Sequence, residues 1–382
     1  MFYYICNTGK MIKIKFILLI ILLVSFMSFS ACFPTEPTSA SSNRLLLNEQ
    51  PPEVLKVGLL HNLSVNAKVI CDSKDNWKKI AVEYKNFDRE DYLKLFIKEK
   101  EIIDEYNSDS SIVIGQKAHI YNFDDESSLN IDCGQILYLT MDYMERTYDN
   151  VIHTPGTGNY IRDDLDLIYK KTDLERIDKN EAVKAFSSIV EKLGISTHKE
   201  PKVYVLDYNT LMQEWEDFNL KDGTPAPKWN KSDEAYLIEF EEDADGLPIS
   251  KYGYIDPEKG IPLNGGRIFG VVSEEGLLSF SCSGIFDTTG YSEDVDVVSL
   301  NVALNSIKAK FENIILTDPI EITEISLKLL PVCVNANTYQ INLVPVWTFQ
   351  ATQSVEKITQ KIKYSIFING ITGDEIITGG MV

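Results

Sequence analysis

The sequence has few of the residue types that catalysis and metal binding usually require. It contains four histidines, well separated from one another: His61, His119, His153 and His198. They form no HExxH pair, no GxSxG segment provides a nucleophile elbow, and no CxxC pair provides a zinc or redox site. Two SxxK tetrads, at 196–199 and 354–357, lack the SDN and KTG partners that penicillin-recognising enzymes need. The sequence therefore predicts no enzyme, no catalytic residue and no cofactor.

Long apolar runs are also scarce, and the longest lies near the start of the chain. Three lysines precede an apolar stretch at 16–29, and small residues then lead to Cys32. This order is typical of a secretory signal, with Met11 as the natural start. Residues 29–32, Phe-Ser-Ala-Cys, resemble the lipobox at which lipoprotein precursors receive diacylglycerol on the cysteine sulfur. We therefore expect residues 1–31 to be a lipoprotein signal peptide and Cys32 to carry the lipid.

Two alternatives to lipidation stay open at this point. The apolar run is an uncleaved membrane anchor in one of them, although it is shorter than the roughly 20 apolar residues that span a bilayer. In the other, ordinary cleavage occurs after Ala31 and Cys32 is incidental. Residues 32–52 are rich in Pro, Ser and Thr, which predicts an extended tether.

Acidic residues dominate the charge. The sequence has 37 Lys and Arg against 57 Asp and Glu, a net charge of −20, and removal of residues 1–31 takes away three lysines to give −23. Such a surface repels nucleic acids and anionic lipid headgroups, whereas two acyl chains hold a protein at a membrane without basic residues. Lys outnumbers Arg 31 to 6, which is typical of a low-GC Gram-positive bacterium. We expect the protein to be anchored on the outer face of the cytoplasmic membrane.

Four further cysteines occur in the expected mature chain: Cys71, Cys133, Cys282 and Cys333. An even number in an oxidising compartment permits two disulfides, and three pairings are possible. Cys71–Cys133 and Cys282–Cys333 would each keep a bridge within one region. Cysteine is also among the most buried residue types, so free thiols in the core are the expectation that we prefer.

One acidic cluster matches the start of a calcium-binding loop. Glu241, Asp243 and Asp245 stand before Gly246 at the spacing of the first three ligands. The twelfth position, where such a loop has a bidentate Glu, is Tyr252. The missing ligand favours a solvated hairpin tip, and the three carboxylates are weak metal candidates.

The segments after residue 52 predict an α+β fold of antiparallel sheets with helices packed on one face. We expect two modules, residues 53–175 and residues 176–382. The clearest helix runs from Asp178 to Leu193, because an Asp cap precedes it and Gly194 stops it. Its apolar stripe consists of Ala182, Ala185, Phe186, Ile189, Val190 and Leu193.

Parts of the second module resemble known extracytoplasmic proteins. Residues 235–250, AYLIEFEEDADGLPIS, are similar to a strand and turn of YycI- and YycH-like regulatory proteins and of PepSY-type modules. LVPVWTFQA and KYSIFINGITGDEI resemble their closing hairpin. The lipobox, the helix end at 193–195 and the Asp-Gly-Leu-Pro turn also resemble an uncharacterised clostridial lipoprotein family. The resemblance implies a non-catalytic extracytoplasmic role and carries over no active-site residue.

Three hypotheses of function follow. The first is a lipid-anchored interaction module that binds another envelope protein, such as a sensor kinase or a protease, through sheet edges. The second is a lipoprotein that binds a small ligand or a cation. The third is an envelope hydrolase with an unrecognised site.

Cys32→Ala tests the anchor. Wild-type mature protein should sediment with membranes, because two acyl chains hold it there. The variant lacks the sulfur at the cleavage junction, so it should be released into the medium or persist as an uncleaved precursor about 2 kDa larger, counting 110 Da per residue of the signal. Fractionation with gel mobility separates these outcomes. A variant that stays membrane-bound at mature size would show that the anchor lies elsewhere.

Overall fold

Strands dominate the structure. The computed structural model describes residues 51–71, 76–97, 99–113, 115–153, 161–216, 228–355 and 362–379. About 46% of the chain is strand and about 20% is helix, and the strands form antiparallel and mixed sheets. The α+β class that the sequence predicts is confirmed. Cys32 and the signal segment lie outside the described residues.

The elements follow one another along the chain in this order. The strands are β1 (Val54–Leu60), β2 (Leu63–Ile70), β3 (Lys78–Tyr84), β4 (Ile102–Asp109), β5 (Lys117–Phe123), β6 (Ser128–Asp132), β7 (Gln135–Leu139), β8 (Lys202–Leu206), β9 (Ala235–Phe240), β10 (Asp243–Ala244), β11 (Leu247–Pro248), β12 (Tyr254–Asp256), β13 (Ile261–Leu263), β14 (Arg267–Ser273), β15 (Gly276–Ser283), β16 (Phe286–Asp294), β17 (Ile320–Asn335), β18 (Gln340–Gln353), β19 (Ile362–Asn369) and β20 (Glu375–Ile376). The helices are α1 (Arg89–Ile97), α2 (Met141–Glu145), α3 (Tyr148–Ile152), α4 (Leu165–Ile168), α5 (Lys179–Lys192), α6 (Tyr208–Glu216) and α7 (Leu300–Glu312).

The first sheet has eight strands and is mixed. Its main order is β1-β2-β17-β18-β19-β20, and β3 pairs with both β18 and β16. β2 and β17 run parallel, while the other neighbours are antiparallel. Helix α7 packs on one face of this sheet, where Ala303 and Ile307 share a core with Leu329 and Phe349.

The second sheet is antiparallel throughout, in the order β4-β5-β6-β7-β15-β14-β9-β8. β7 precedes residue 175 and pairs with β15, which follows it, and β2 pairs with β17 across the same point. Both sheets thus take strands from both expected modules, so the structure is not divided near residue 175, and residues 47–382 form one compact unit. The expected boundary fails because pairing between distant strands leaves no trace in local periodicity.

Helix α5 lies where the sequence predicts it. The Asp178 carboxylate accepts hydrogen bonds from the backbone N–H groups of Asn180 and Glu181, and Gly194 follows the helix with a φ of 63°. The Phe186 ring is fully buried against the second sheet at Gly270, where a Cβ would lie 2.4 Å from the ring. Of the expected stripe, Ala182, Phe186, Val190 and Leu193 are buried, Ile189 is half-buried and Ala185 is exposed.

Helices also cover the other face of the second sheet, which differs from the expected one-face arrangement. Leu237 and Ile238 are successive residues of β9 and so point to opposite faces. Ile238 belongs to the core beneath α5, whereas Leu237 belongs to a core with side chains of α2, α3, α4 and α6. Burial on both faces makes β9 almost continuously apolar, and such a run does not reveal which face a helix covers.

Leu193→Asp should destabilise the protein by about 3 kcal/mol, because it places an unpaired charge in the core at a fully buried position. Urea denaturation measures this loss. Lys184→Asp is the control, since it introduces an acid at an exposed position of the same helix and should cost under about 1 kcal/mol. Equal losses for the two variants would contradict the packing of α5 on the sheet.

Candidate functional site

The two sheets meet through the backbone of one segment, residues 241–250. The Ser250 N–H donates to the Leu329 carbonyl in the first sheet at 2.7 Å, and the Ser250 carbonyl accepts from the N–H of Gly266 at 2.9 Å. Gly266 immediately precedes β14 of the second sheet. Ser250 therefore bonds to both sheets and brings the ends of their strands together. A pocket lies between these ends.

The pocket has a volume of about 820 Å³ and is lined mostly by charged and polar side chains. Its cationic residues are Lys68, Lys199, Lys202, Lys251, Arg267 and Lys328. Its acidic residues are Glu53, Glu200, Glu239, Glu241 and Glu324. Cationic residues outnumber acidic ones six to five in the pocket, although acidic residues outnumber cationic ones 57 to 37 in the whole chain. The pocket is therefore locally more basic than the protein that contains it.

Each wall of the pocket carries one lysine beside one glutamate. In the second sheet, Lys202 of β8 is the direct partner of Glu239 of β9. In the first sheet, Lys68 of β2 is the register partner of Glu324 of β17. Such partners share one face of a sheet, with Cβ atoms about 5 Å apart. Across the described ranges, none of these four side chains forms an ion pair within 4.0 Å.

Lys251 lies between the two walls. Its Nζ is 3.6 Å from Oδ1 of Asp163, and 31% of its side chain is exposed. Burial opposes the charge of Lys251, but neighbouring groups outweigh burial and raise its pKa. These groups are Tyr252, Glu239, Asp163 and Glu324. Glu239 and Glu324 belong to different sheets and act on the same ammonium, so the two walls face each other across Lys251.

Other charges near the pocket are already engaged within the protein. Lys328 forms an ion pair with Glu241, and Nδ1 of His198 lies 3.3 Å from Oδ2 of Asp243. The Arg267 Nε donates to the Ser283 hydroxyl at 3.1 Å. The charged side chains at this end of the pocket therefore have more partners within the protein than the lysines and glutamates of the two walls.

A row of uncharged polar side chains extends inward from the pocket across the first sheet. Ser326 lines the pocket and is buried, and Thr348 on β18 is its direct partner and thus shares its face. The Thr348 hydroxyl is buried and has no hydrogen-bond partner among the described residues. The next pair along the strands is Glu324 with Gln350. The first sheet therefore offers hydrogen-bonding groups beside the Glu324 wall, together with Ile70, the register partner of Ser326 on β2.

Glu242 lies directly behind the pocket. Its side chain is buried, and a Cβ on the pocket residue Gly266 would lie 2.3 Å from its Oε2. Oε1 accepts from the Phe286 N–H at 3.1 Å, while Oε2 has no partner in the described part of the chain. Burial is the main reason why the pKa of Glu242 is raised well above its usual value, and the nearby Asp243 adds to this effect. Burial therefore favours the protonated, neutral form of this carboxyl group.

The expected metal candidates do not converge on one point. Asp243 and Asp245 lie in the hairpin of β10 and β11, where Oδ1 of Asp243 accepts from the Gly246 N–H at 2.9 Å. Each carboxylate faces a different lysine or histidine side chain: Glu241 faces Lys328, Asp243 faces His198, and Asp245 faces Lys78. The described residues contain no group of three or more His, Cys, Asp or Glu side chains placed to hold a metal ion.

The cysteines have different surroundings. Cys133, Cys282 and Cys333 are buried thiols in the structure, and Cys71 is half-buried and lines the pocket. Burial raises the pKa of the Cys282 thiol far above its usual value, so this group is not a reactive thiolate. Neither of the two bridges considered from the sequence is present, since each includes one of these thiols.

The SxxK tetrads and the histidines do not form a catalytic set. The Ser196 hydroxyl donates to Asp243 at 3.4 Å, and Lys199 lines the pocket. The tetrad at 354–357 extends beyond the described residues. Nδ1 of His153 lies 3.2 Å from Oδ1 of Asp149, and its ring packs against Phe269 of the second sheet. Burial lowers the pKa of His119 on β5. Of the four histidines, His198 is the one that lines the pocket.

Sequence reasoning missed the wall residues, although a local signal for them exists. Glu324, Ser326 and Lys328 alternate with Ile325, Leu327 and Leu329 along β17. This alternation indicates a strand with a polar face, and strong burial of Ser326 on that face shows that the face is covered. The sequence does not reveal which strand lies opposite, because the second wall belongs to the other sheet.

Comparisons with known proteins define the fold and no function. No protein-family model and no curated protein matches this chain. The crystal structure of an uncharacterised protein from Eubacterium rectale ATCC 33656 is similar, with a TM-score of 0.63 and 16% identity. The match covers 85% of this chain and 93% of that chain. None of the helices within the described ranges is long and apolar enough to cross a membrane.

Glu242→Gln should make the protein more stable relative to wild type as the pH rises. A carboxyl whose pKa is raised by folding holds a proton that the unfolded chain releases, so wild-type stability falls between the unfolded and the folded pKa. The difference should grow by up to about 1.4 kcal/mol for each pH unit within this window. Thermal and urea denaturation from pH 4 to pH 8 measure it.

Glu191→Gln removes an exposed carboxyl and is the matched control. Its stability should run parallel to wild type over the same pH range. A parallel curve for Glu242→Gln as well would contradict a buried neutral acid at this position.

Proposed function

We propose that the protein is an extracytoplasmic lipoprotein that binds a small charged ligand in the pocket between its two sheets. The observation that carries this proposal is the pocket, whose volume of about 820 Å³ lies within the usual range of small-molecule sites, about 300–1,000 Å³. The sequence offers ligand binding as one of three hypotheses. The interior geometry favours it over the other two.

The lining favours a charged ligand over an apolar one. Small-molecule sites are mostly apolar with a few polar groups, whereas this pocket has six cationic and five acidic residues. Several of these side chains stand on paired strands, which fix their backbone before a ligand arrives. Hydrogen bonds to charged groups contribute about 1.5–3 kcal/mol each, so a few of them are enough for useful affinity.

The expected anchor fits this role. With lipid on Cys32 and a tether to residue 52, the pocket would face the space outside the cytoplasmic membrane. A ligand would then arrive from the medium or from the cell wall. The volume and the charged lining of the pocket support binding and do not by themselves indicate a reaction.

The interaction module expected from the sequence stays a second candidate, favoured by one strand. β4 is an edge strand of the second sheet, and Ile103 and Tyr106 on it are 65% and 48% exposed. Such an edge can accept an additional strand from another protein. Ligand binding and partner binding are compatible, because β4 and the pocket-lining strand β8 stand at opposite edges of the second sheet.

A panel of charged solutes tests ligand binding. Amino acids and short peptides, dicarboxylates, phosphate esters and polyamines are added at millimolar concentration to the mature protein, and the melting temperature is recorded. At least one class should raise it by several degrees, because a ligand that binds the native state stabilises it. Calorimetry then gives the affinity.

Lys202→Gln should weaken the binding of a solute with a carboxylate or phosphate group at least tenfold, since Lys202 lines the pocket. Lys231→Gln is the control, because Lys231 is exposed and lies outside the pocket while its replacement changes the net charge equally. If no solute class shifts the melting temperature, or if both variants weaken binding equally, the proposed site is wrong.

A further inference from the structure

The two walls of the pocket carry the same pair of charges, one lysine beside one glutamate. Lys202 with Glu239 on one wall, and Lys68 with Glu324 on the other, each place an ammonium next to a carboxylate. Within the described residues these groups make no ion pair within 4.0 Å, and the hydrogen bond that reaches Glu239, from the Tyr204 hydroxyl, is long at 3.5 Å. The walls therefore offer both ammonium groups that can donate hydrogen bonds and carboxylates that can accept them.

The contrast with the neighbouring charges is informative. Lys328 of β17 and Glu241, which follows the end of β9, also line the pocket, and they form a direct ion pair. Lys328 and Glu241 thus form an ion pair at the junction of the sheets, whereas the lysine and the glutamate of each wall do not. Charged groups that lose water without gaining a partner are costly, so a ligand that fits between the walls must supply partners of both signs.

We propose that the ligand is an amino-acid zwitterion, meaning a free amino acid or a short peptide with both ends uncapped. This inference rests on the proposed ligand binding in the pocket. The ammonium of the ligand would lie beside Glu239 and Glu324, next to the Lys251 ammonium, which has Asp163 as its own ion-pair partner. The carboxylate of the ligand would be bound by lysines of the walls, Lys68 and Lys202. The buried hydroxyl of Ser326 stands beside the Glu324 wall and is placed to bond a peptide or carboxyl group.

The other ligand classes fit the walls less well. A purely anionic ligand would bring its charge towards Glu239 and Glu324, which already surround Lys251 together with Asp163. A polyamine would satisfy those carboxylates but would face Lys68 and Lys202. A neutral sugar would remove water from all four side chains and return no charge. A zwitterion offers a positive group to the glutamates of the walls and a negative group to their lysines.

Capped and uncapped forms of the same compounds test the inference. Calorimetry with the mature protein compares the twenty amino acids and a set of di- and tripeptides with their N-acetyl and C-amide forms. At least one uncapped compound should bind, and each capped form of it should bind at least tenfold more weakly. Phosphoethanolamine, the zwitterion of a lipid headgroup, serves as a further arm.

Variants of the walls locate the two charges. Glu239→Gln and Glu324→Gln should each weaken the uncapped compound at least tenfold and leave the weak binding of its N-acetyl form unchanged, because that form has no ammonium. Glu321→Gln is the matched control, since it removes a carboxylate from the same strand β17 outside the pocket. Circular dichroism confirms that each variant is folded.

The results separate this inference from the function on which it rests. Binding of an N-acetyl form as tight as that of the uncapped compound would show an anionic ligand, and equal binding of a C-amide would show a cationic one; either overturns the inference. Binding of phosphoethanolamine, dicarboxylates, phosphate esters or polyamines, with none of the uncapped compounds bound, would also overturn it while ligand binding stands. No binding by any class would remove both.

Discussion

The structure depends on a close backbone approach between residues 250–252 and the pair Gly265 and Gly266. A Cβ on Gly265 would lie 2.4 Å from the Ser250 carbonyl oxygen and 2.5 Å from that of Tyr252. A side chain at Gly265 would therefore force the two backbones apart, and one at Gly266 would clash with the Glu242 side chain. The hydrogen bonds of Ser250 to both sheets require this approach. The position of Lys251 in the pocket depends on it as well. The pocket is thus a consequence of how the sheets are joined.

The same junction explains how an acidic run is accommodated where part of it is buried. Residues 241–245, Glu-Glu-Asp-Ala-Asp, include the buried Glu242 and the exposed Asp245, and a charge that leaves water needs a partner. Three of the four acids meet a lysine or a histidine from another element. Glu242 meets a single backbone N–H instead, and burial there favours its protonated form. The run resembles a metal-binding loop in sequence, but its carboxylates diverge towards separate partners.

Local features of the fold were predictable, and distant pairings were not. The cap at Asp178 and the stop at Gly194 are set by neighbouring residues, so helix α5 follows from the sequence. The pairing of Ile320 with Leu63 joins segments more than 250 residues apart, and no local pattern encodes it. The site depends on such pairings, because Glu239 and Glu324 meet Lys251 only when both sheets are in place. Chemical motifs were absent from the sequence for the same reason: the pocket is built from single residues of many strands.

The charge of the whole protein bears on which ligand reaches the pocket. Acids exceed bases by 20 in the full chain, and such a field repels an approaching anion and attracts cations without discrimination. At physiological salt this field fades over about 8 Å, so it acts on approach, while the walls act within the pocket. A zwitterion has no net charge and meets no repulsion outside, yet it gains contacts of both signs inside. The acidic surface therefore disfavours anions at approach, while the pocket offers contacts of both signs to a ligand that has entered it.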